Sequence, residues 1–160
     1  MAATARVTGT YAGSLTVAAL QGGLSGKGNA WIDGNGITAA NSPRTNTQSP
    51  DMLGIVAENN TYISRDDTRN PSTVVNIDAS IYCHIGELTA YQFWQIRNHG
   101  RVSLYGGVTQ RTAGSLGVFS TRGLVSGFYY SIRHDKRFLL QAPPFFPSST
   151  KYQLVSWWEN

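Results

Sequence analysis

The fold of this chain is decided by three stretches of its sequence, MLGIVAE (52–58), VVNIDASIYCHI (74–85) and RVSLYGGVTQ (101–110). Each stretch has a centre of small and aliphatic residues, at Ile55, Ile81 and Val108, and these centres are 26 and 27 residues apart. A repeat of this length, built from strands without alternating helices, is typical of the coils of a parallel β-solenoid. We therefore predict an all-β, right-handed parallel β-solenoid (β-helix).

The remaining body has the same character. Further apolar or alternating segments are LTVAAL (15–20), AWI (30–32), TYIS (61–64) and GFYYSI (127–132). Glycine- and asparagine-rich turn signals separate them, as expected for short strands. We expect one domain over residues 1–160, with Ala57, Ala79 and Gly107 in narrow corners of the coils. The repeats match only loosely, so a β-sandwich or jelly roll stays open as the alternative fold.

Two segments depart from the strand pattern. Residues 39–51 (AANSPRTNTQSPD) are polar with two prolines, and we expect an exposed loop that leaves the stack. Residues 87–98 (ELTAYQFWQIRN) are predicted to form either a helix or a pair of strands, because Leu88, Tyr91 and Gln95 share a helical face but periodicity does not decide.

Composition limits the function classes. The chain has one cysteine, Cys83, which excludes an intramolecular disulfide and a cysteine-based zinc site, and its apolar surroundings predict a buried structural thiol. No apolar run approaches the roughly 18 residues of a membrane span. The start of the chain does not resemble a signal peptide. We expect that an upstream anchor or signal has been removed, and that the protein is extracellular, at the bacterial cell surface.

Positive charge is concentrated in the second part of the chain. Residues 1–96 contain five basic and seven acidic residues, whereas residues 97–160 contain eight basic and two acidic ones. Arginines alternating with aromatic residues suit contact with DNA, acidic glycans or anionic lipid. The candidate ligand-binding residues are Arg97, Arg101, Arg111, Arg122 and Tyr105. The alternative interpretation is that spaced arginines only decorate a solvated strand face.

The last 27 residues, HDKRFLLQAPPFFPSSTKYQLVSWWEN (134–160), have a different composition from the body. The proline-rich run APPFFP is stiff and cannot extend a sheet. A solenoid needs cover for the apolar rows and strand edges of its terminal coil. We therefore predict that residues 134–160 form a C-terminal capping tail over the end or side of the β-structure.

A set of spaced motifs resembles a known family. The motifs are MLGIVAEN (52–59), VNIDASIY (75–82), VSLYGGVTQRTAGSLGVF (102–119), HDKR (134–137), APPFFP (142–147) and YQLVSWWE (152–159). Together they are similar to the uncharacterised C-terminal domain of bacterial pilin-like and type IV pilus assembly-associated surface proteins, over residues 51–159. The family usually has Tyr-Asp-Pro-Arg where this chain has His134-Asp135-Lys136-Arg137. The resemblance implies an exported β-solenoid, similar to polymer-forming solenoids, without catalysis.

Signals for chemistry are weak. Asp66, Asp67 and His99, with Arg101 as a uronate contact, resemble the paired carboxylates of β-helix polysaccharide hydrolases. However, a further aspartate is missing, and the loop-like setting favours local pairing of the aspartates with Arg65 or Arg69. The three histidines lie far apart in sequence, so we expect no metal site and no cofactor.

These observations predict a non-enzymatic structural or adhesive domain of an exported surface protein, associated with a type IV pilus. Its expected partners are other pilus or surface-protein subunits, including further copies of itself in a homo-oligomer or filament. The alternative is a receptor that binds DNA or acidic polysaccharide through its arginine and aromatic surface. Polysaccharide hydrolysis is a third, more distant hypothesis.

Overall fold

The computed structural model of the chain describes residues 3–95 and 97–147. It contains ten strands, β1 (Ala5–Tyr11), β2 (Ser14–Ala19), β3 (Ala30–Ala39), β4 (Met52–Ala57), β5 (Thr61–Ile63), β6 (Val74–Cys83), β7 (Leu88–Ala90), β8 (Asn98–Gln110), β9 (Gly117–Ser120) and β10 (Gly123–His134). Two short 3-10 helices lie at Phe93–Gln95 and Lys136–Leu139. The described residues form no α-helix.

The strands stack as a β-solenoid of about five turns. Every strand pair in the described residues is parallel except β9 with β10. The pairs form three rows along the stack. Row 1 contains β5, β7 and the first residues of β1 and β3. Row 2 contains the ends of β1 and β3, the first halves of β6 and β8, and the end of β10. Row 3 contains β2, β4 and the second halves of β6 and β8.

The repeat predicted from the sequence corresponds to one turn of the solenoid. Ile55 lies beside Ile81, and Ile81 lies beside Val108, as direct partners in neighbouring strands. Val17 extends the same line to the first turn. Ile55 and Ile81 are fully buried in one core that continues through the turns. The parallel β-solenoid is therefore confirmed, and parallel pairing rules out the sandwich or jelly roll for the described residues.

Small residues make the bend between rows 2 and 3 possible. A side chain on Gly106 would place its Cβ 1.8 Å from the carbonyl oxygen of Ala79, its partner in the strand beside it. A side chain on Gly107 would meet only the Ser80 hydroxyl, at 3.3 Å. Gly106, rather than the predicted Gly107, thus occupies the narrow corner, whereas Ala57 and Ala79 are buried as expected.

The two departing segments differ from their predicted forms. Residues 40–51 are a loop, but this loop lies against the stack instead of leaving it, because Arg44 donates hydrogen bonds to the carbonyl oxygens of Ile77 and Ser103 in two further turns. Residues 87–98 contain β7, a 3-10 helix and the first residue of β8. The prediction of a helix or strand pair there was wrong, because Leu88–Ala90 pairs with β5 in row 1 and a 3-10 helix at Phe93–Gln95 follows it in the connection to β8.

Candidate functional site

Arginine and tyrosine side chains alternate across β8 and β10 on the outward side of row 2. Arg101 lies opposite Tyr129, and Tyr105 lies opposite Arg133. Ser103, opposite a second serine, fills the position between them. Because side chains alternate along a strand, all of these residues face away from the buried line of Val102 and Leu104. We call Arg101, Tyr105, Tyr129 and Arg133 the arginine–tyrosine surface.

This surface has excess positive charge. Within residues 3–95 and 97–147, no ion pair joins Arg101 or Arg133 to a carboxylate. Asp78, the partner of Tyr105 in β6, is buried and accepts a hydrogen bond from Arg44 at 2.6 Å. Exposed guanidinium groups beside aromatic rings can bind phosphate, sulfate or carboxylate groups of a polyanion.

Tyr105 is a structural residue as well as a surface one. The guanidinium carbon of Arg44 lies 5.7 Å from the centre of its ring, and that of Arg133 lies 5.9 Å away. The ring therefore contributes cation–π contacts that hold the 40–51 loop against β8. Its face is only partly available to a ligand, since it is half-buried.

The structure does not bring the other predicted site residues to this surface. Arg97 precedes β8, Arg111 follows its far end beyond the corner, and Arg122 lies in the turn between β9 and β10. All three are exposed. Sequence reasoning missed Tyr129 and Arg133, although the alternation in GFYYSIRH has the same phase as that in RVSLYG and would have identified them.

The aspartates of the hydrolase hypothesis are engaged locally. Asp67 accepts two hydrogen bonds from the Arg65 guanidinium, at 2.8 and 3.2 Å. Asp66 accepts from the backbone and hydroxyl of Thr68. The pairing expected for this loop is therefore present, and these contacts organise a turn. The side chain of His99 lies outside the described part of the chain.

Cys83, His84 and His134 are the candidate metal ligands of these two residue types whose side chains the structure describes. The Cys83 side chain is buried beside the Thr61 hydroxyl, and burial raises the pKa of its thiol, as expected for a structural cysteine. Among the side chains that the structure describes, no three from histidine, cysteine, aspartate or glutamate cluster in a way that suits a metal ion.

The described part of the tail runs along the side of the solenoid, and we call residues 135–147 the strap. Asp135 begins its 3-10 helix and pairs with Arg137 at 2.6 Å. Both side chains are largely buried, at 2% and 14% exposure. Arg137 also donates to the carbonyl oxygens of Ser49 and Asp51 in the loop before β4. The predicted capping role of residues 148–160 lies outside the described residues.

A trough of small side chains receives the strap on row 3. Thr16, Gly54, Ser80 and Gly107 are successive partners across four strands. The ring of Phe146 lies so close to Gly54 that a Cβ there would stand 2.4 Å from the ring carbon Cδ2. The strap therefore covers the side of several turns, and any larger residue at Gly54 would displace it.

Within the HDKR segment (134–137), the aspartate and the arginine have a structural role. Asp135 and Arg137 form the buried ion pair, whereas His134 and Lys136 are exposed. Lys136 starts the 3-10 helix and makes no ion pair with a described carboxylate.

Comparison with known proteins identifies no relative of this chain. No protein-family model, curated protein or solved structure matches the chain. The resemblance to the pilin-like C-terminal domain stays a prediction. The described residues include no helix long and apolar enough to cross a membrane.

Proposed function

We propose that this chain is a non-enzymatic structural or adhesive domain of an exported bacterial cell-surface protein, associated with a type IV pilus-like assembly. The observation that carries the proposal is the strap, which fastens the last turn to the second. Repeat structures whose turns contact only their neighbours can open from either end. A lateral fastening makes several turns open together, which suits a passive, rigid element of a surface structure.

The interactions of the strap are of the kind that resists opening. The pair of Asp135 and Arg137 is shielded from water, and removing one partner of such a pair leaves a buried charge. Phe146 adds an apolar contact on the row of small residues around Gly54. The clustered carboxylates of the described residues are bound into loops, which fits scaffolding better than catalysis.

Cell fractionation tests the location and the assembly. Living cells of the source are sheared to release surface filaments, and an antibody against the solenoid is applied to the sheared material, to intact cells and to the cytosolic fraction. We expect the protein in the sheared fraction and accessible on intact cells. Recovery in the cytosol alone contradicts the proposal.

The arginine–tyrosine surface supports a second candidate, a receptor for DNA or acidic polysaccharide. Its carrying observation is the pairing of Arg101 with Tyr129 and of Tyr105 with Arg133 on one side of two strands. Retention on immobilised DNA or heparin should weaken steeply with salt, because each neutralised phosphate or sulfate releases counterions.

Variants separate this receptor from a solvated strand face. Arg101→Ala should reduce retention several-fold, and Arg111→Ala less, because Arg111 lies beyond the corner from the arginine–tyrosine surface. Lys27→Ala, at the other end of the stack, is the matched loss of one charge and should leave retention unchanged. Retention that is independent of salt, or equal losses for all three variants, contradicts a receptor surface.

The hydrolase hypothesis predicts a different result. If Asp67 were catalytic, Asp67→Asn would abolish a measurable release of reducing ends from polyuronate. We expect no release by the unmodified protein, because Asp67 is held by Arg65 in a bidentate pair. Release that depends on Asp67 would replace the structural proposal by an enzymatic one.

A further inference from the structure

The strap presents three apolar side chains to solvent. Leu139, Leu140 and Phe145 are 72%, 94% and 100% exposed. Isolated exposed apolar residues are common on proteins, but three large ones within seven positions form a concentrated apolar segment. This segment belongs to an element whose position is defined by the buried Asp135–Arg137 pair at its start.

The opposite side of the strap already has its partner. Pro143 is buried, and Phe138 and Phe146 are half-buried against the solenoid. The strap is thus two-sided, with Phe146 directed at row 3 and Leu140 and Phe145 directed outward, whereas Leu139 is exposed but also lines the cavity between the strap and row 3. Within the described part of the chain, the outward set does not contribute to the core of the solenoid and is available for contact with another molecule.

Phe145 has a second unusual property. Its φ angle is 57°, in the left-handed region that bulky L-residues rarely adopt because Cβ crowds the backbone. This conformation turns the ring outward while its neighbour Phe146 turns onto Gly54. A strained backbone that displays a fully exposed phenylalanine is an observation that points to a binding partner.

Positive charge lies next to the outward apolar set in the sequence. Arg133 and Lys136 are exposed immediately before it, and the one acid of residues 133–147, Asp135, is buried in its pair with Arg137. A second copy of the same surface would bring these like charges together, which disfavours self-docking through this patch. An anionic lipid surface combines negative headgroups with an apolar layer below them and therefore complements both features.

We propose that the outer side of the strap docks on an anionic lipid surface. Leu140 and Phe145 enter the boundary between headgroups and acyl chains, and Lys136 contacts the headgroup phosphates. The attachment is peripheral and reversible. It goes beyond the proposed structural function, because it supplies a site of contact with the envelope that such a scaffold would use.

Vesicle sedimentation with the full chain tests this proposal. We expect binding to vesicles of equimolar phosphatidylcholine and phosphatidylglycerol, weaker binding to phosphatidylcholine alone, and a decrease with added salt. The double variant Leu140→Ser/Phe145→Ser should lower the partition coefficient at least about tenfold, because the apolar area that enters the bilayer is lost. Leu24→Ser removes a comparably exposed apolar residue, 58% exposed in the β2–β3 connection, and should leave binding unchanged.

Charge variants test the headgroup contact. Lys136→Gln should weaken binding to the anionic vesicles several-fold without changing binding to phosphatidylcholine, whereas Lys27→Gln should change neither. In both lysine variants, Arg101→Ala should still reduce retention on DNA. This result would distinguish the lipid-binding site from the arginine–tyrosine surface.

Several results would overturn the proposal. One is a wild-type protein that binds neither kind of vesicle, and another is a double variant that binds as well as the wild type. A clear fall in the thermal unfolding temperature of the double variant would show that Leu140 and Phe145 pack against protein. A wild-type dimer that the double variant abolishes would identify a second copy as the occupant instead.

Discussion

Arg137 donates a hydrogen bond of 3.1 Å to the carbonyl oxygen of Asp51, although 86 positions separate the two residues in sequence. The carboxylate of Asp51 in turn accepts from the backbone N–H groups of Gly13 and Asn41. One residue thus connects the first turn, the loop of the second turn and the strap that follows the last. The solenoid is fastened along its side at this point.

Replacement of Arg137 should therefore destabilise the whole solenoid. Arg137→Met removes the buried partner of Asp135 and leaves that carboxylate uncompensated, so we expect the free energy of unfolding to fall by about 3 kcal/mol. Urea unfolding followed by circular dichroism measures it. Arg6→Met is the matched control, because Arg6 pairs with Asp33 in an exposed position and its loss should change the free energy by at most about 1 kcal/mol. Equal effects of the two variants would contradict the fastening role.

The corner between rows 2 and 3 allows a comparison of neighbouring glycines. Gly106→Ala forces a methyl group against the Ala79 carbonyl, so we expect a loss of about 3 kcal/mol or more in the free energy of unfolding. Gly107→Ala meets only the Ser80 hydroxyl at 3.3 Å and should cost less than about 1 kcal/mol. If the two variants unfold at the same urea concentration, the position assigned to the corner is wrong.

Asp51 makes stability depend on pH. Its two backbone hydrogen bonds, from Asn41 and Gly13, hold the pKa of the carboxyl below its usual range in the folded state. The contribution of the Asp51 carboxylate to the free energy of unfolding is therefore fully present above the ordinary aspartate pKa of about 4. It is lost as the pH falls through the lower pKa of the folded state. Asp51→Asn should lower stability at neutral pH by about 1–3 kcal/mol and flatten the acid decline. An acid decline as steep as that of the wild type would contradict this assignment.

Two adjacent phenylalanines in the strap should respond differently to truncation. Phe146→Ala removes the ring that covers Gly54, and we expect a loss of about 1–3 kcal/mol because the ring is half-buried. Phe145→Ala removes a fully exposed ring and should change the free energy of unfolding by less than about 0.5 kcal/mol. Chemical unfolding of both variants checks the difference, and a larger effect at Phe145 would reverse the assigned orientation of the strap.

The solenoid was predictable because the length of its coils appears in the sequence as a regular spacing of aliphatic residues. Ile55, Ile81 and Val108 recur at nearly constant spacing, and aliphatic neighbours have to align when parallel strands stack. The first turns were harder to align, because the 40–51 loop lengthens one coil and shifts Val17 out of the spacing. Local patterns also could not show that Arg44 would hold this loop against two further turns.

The candidate site was only partly predictable. Alternation identified Arg101 and Tyr105 on one strand, but strand register decides that Tyr129 and Arg133 lie beside them. Arg111 has a sequence setting similar to that of Arg101, but the bend at Gly106 separates it from the arginine–tyrosine surface. The path of the strap depends on the contact of Phe146 with Gly54, which is a long-range contact that composition alone does not specify.

The fastening of the last turn to the second is tested most directly by hydrogen exchange of the native protein, measured peptide by peptide. We expect the amides of β10 that pair with β8, from Tyr129 to His134, to open with the same free energy as those of β4 in the wild type. In Arg137→Met, the β10 amides should exchange markedly faster than those of β4. Wild-type β10 amides that already exchange well before β4, with no further change in the variant, would contradict the account.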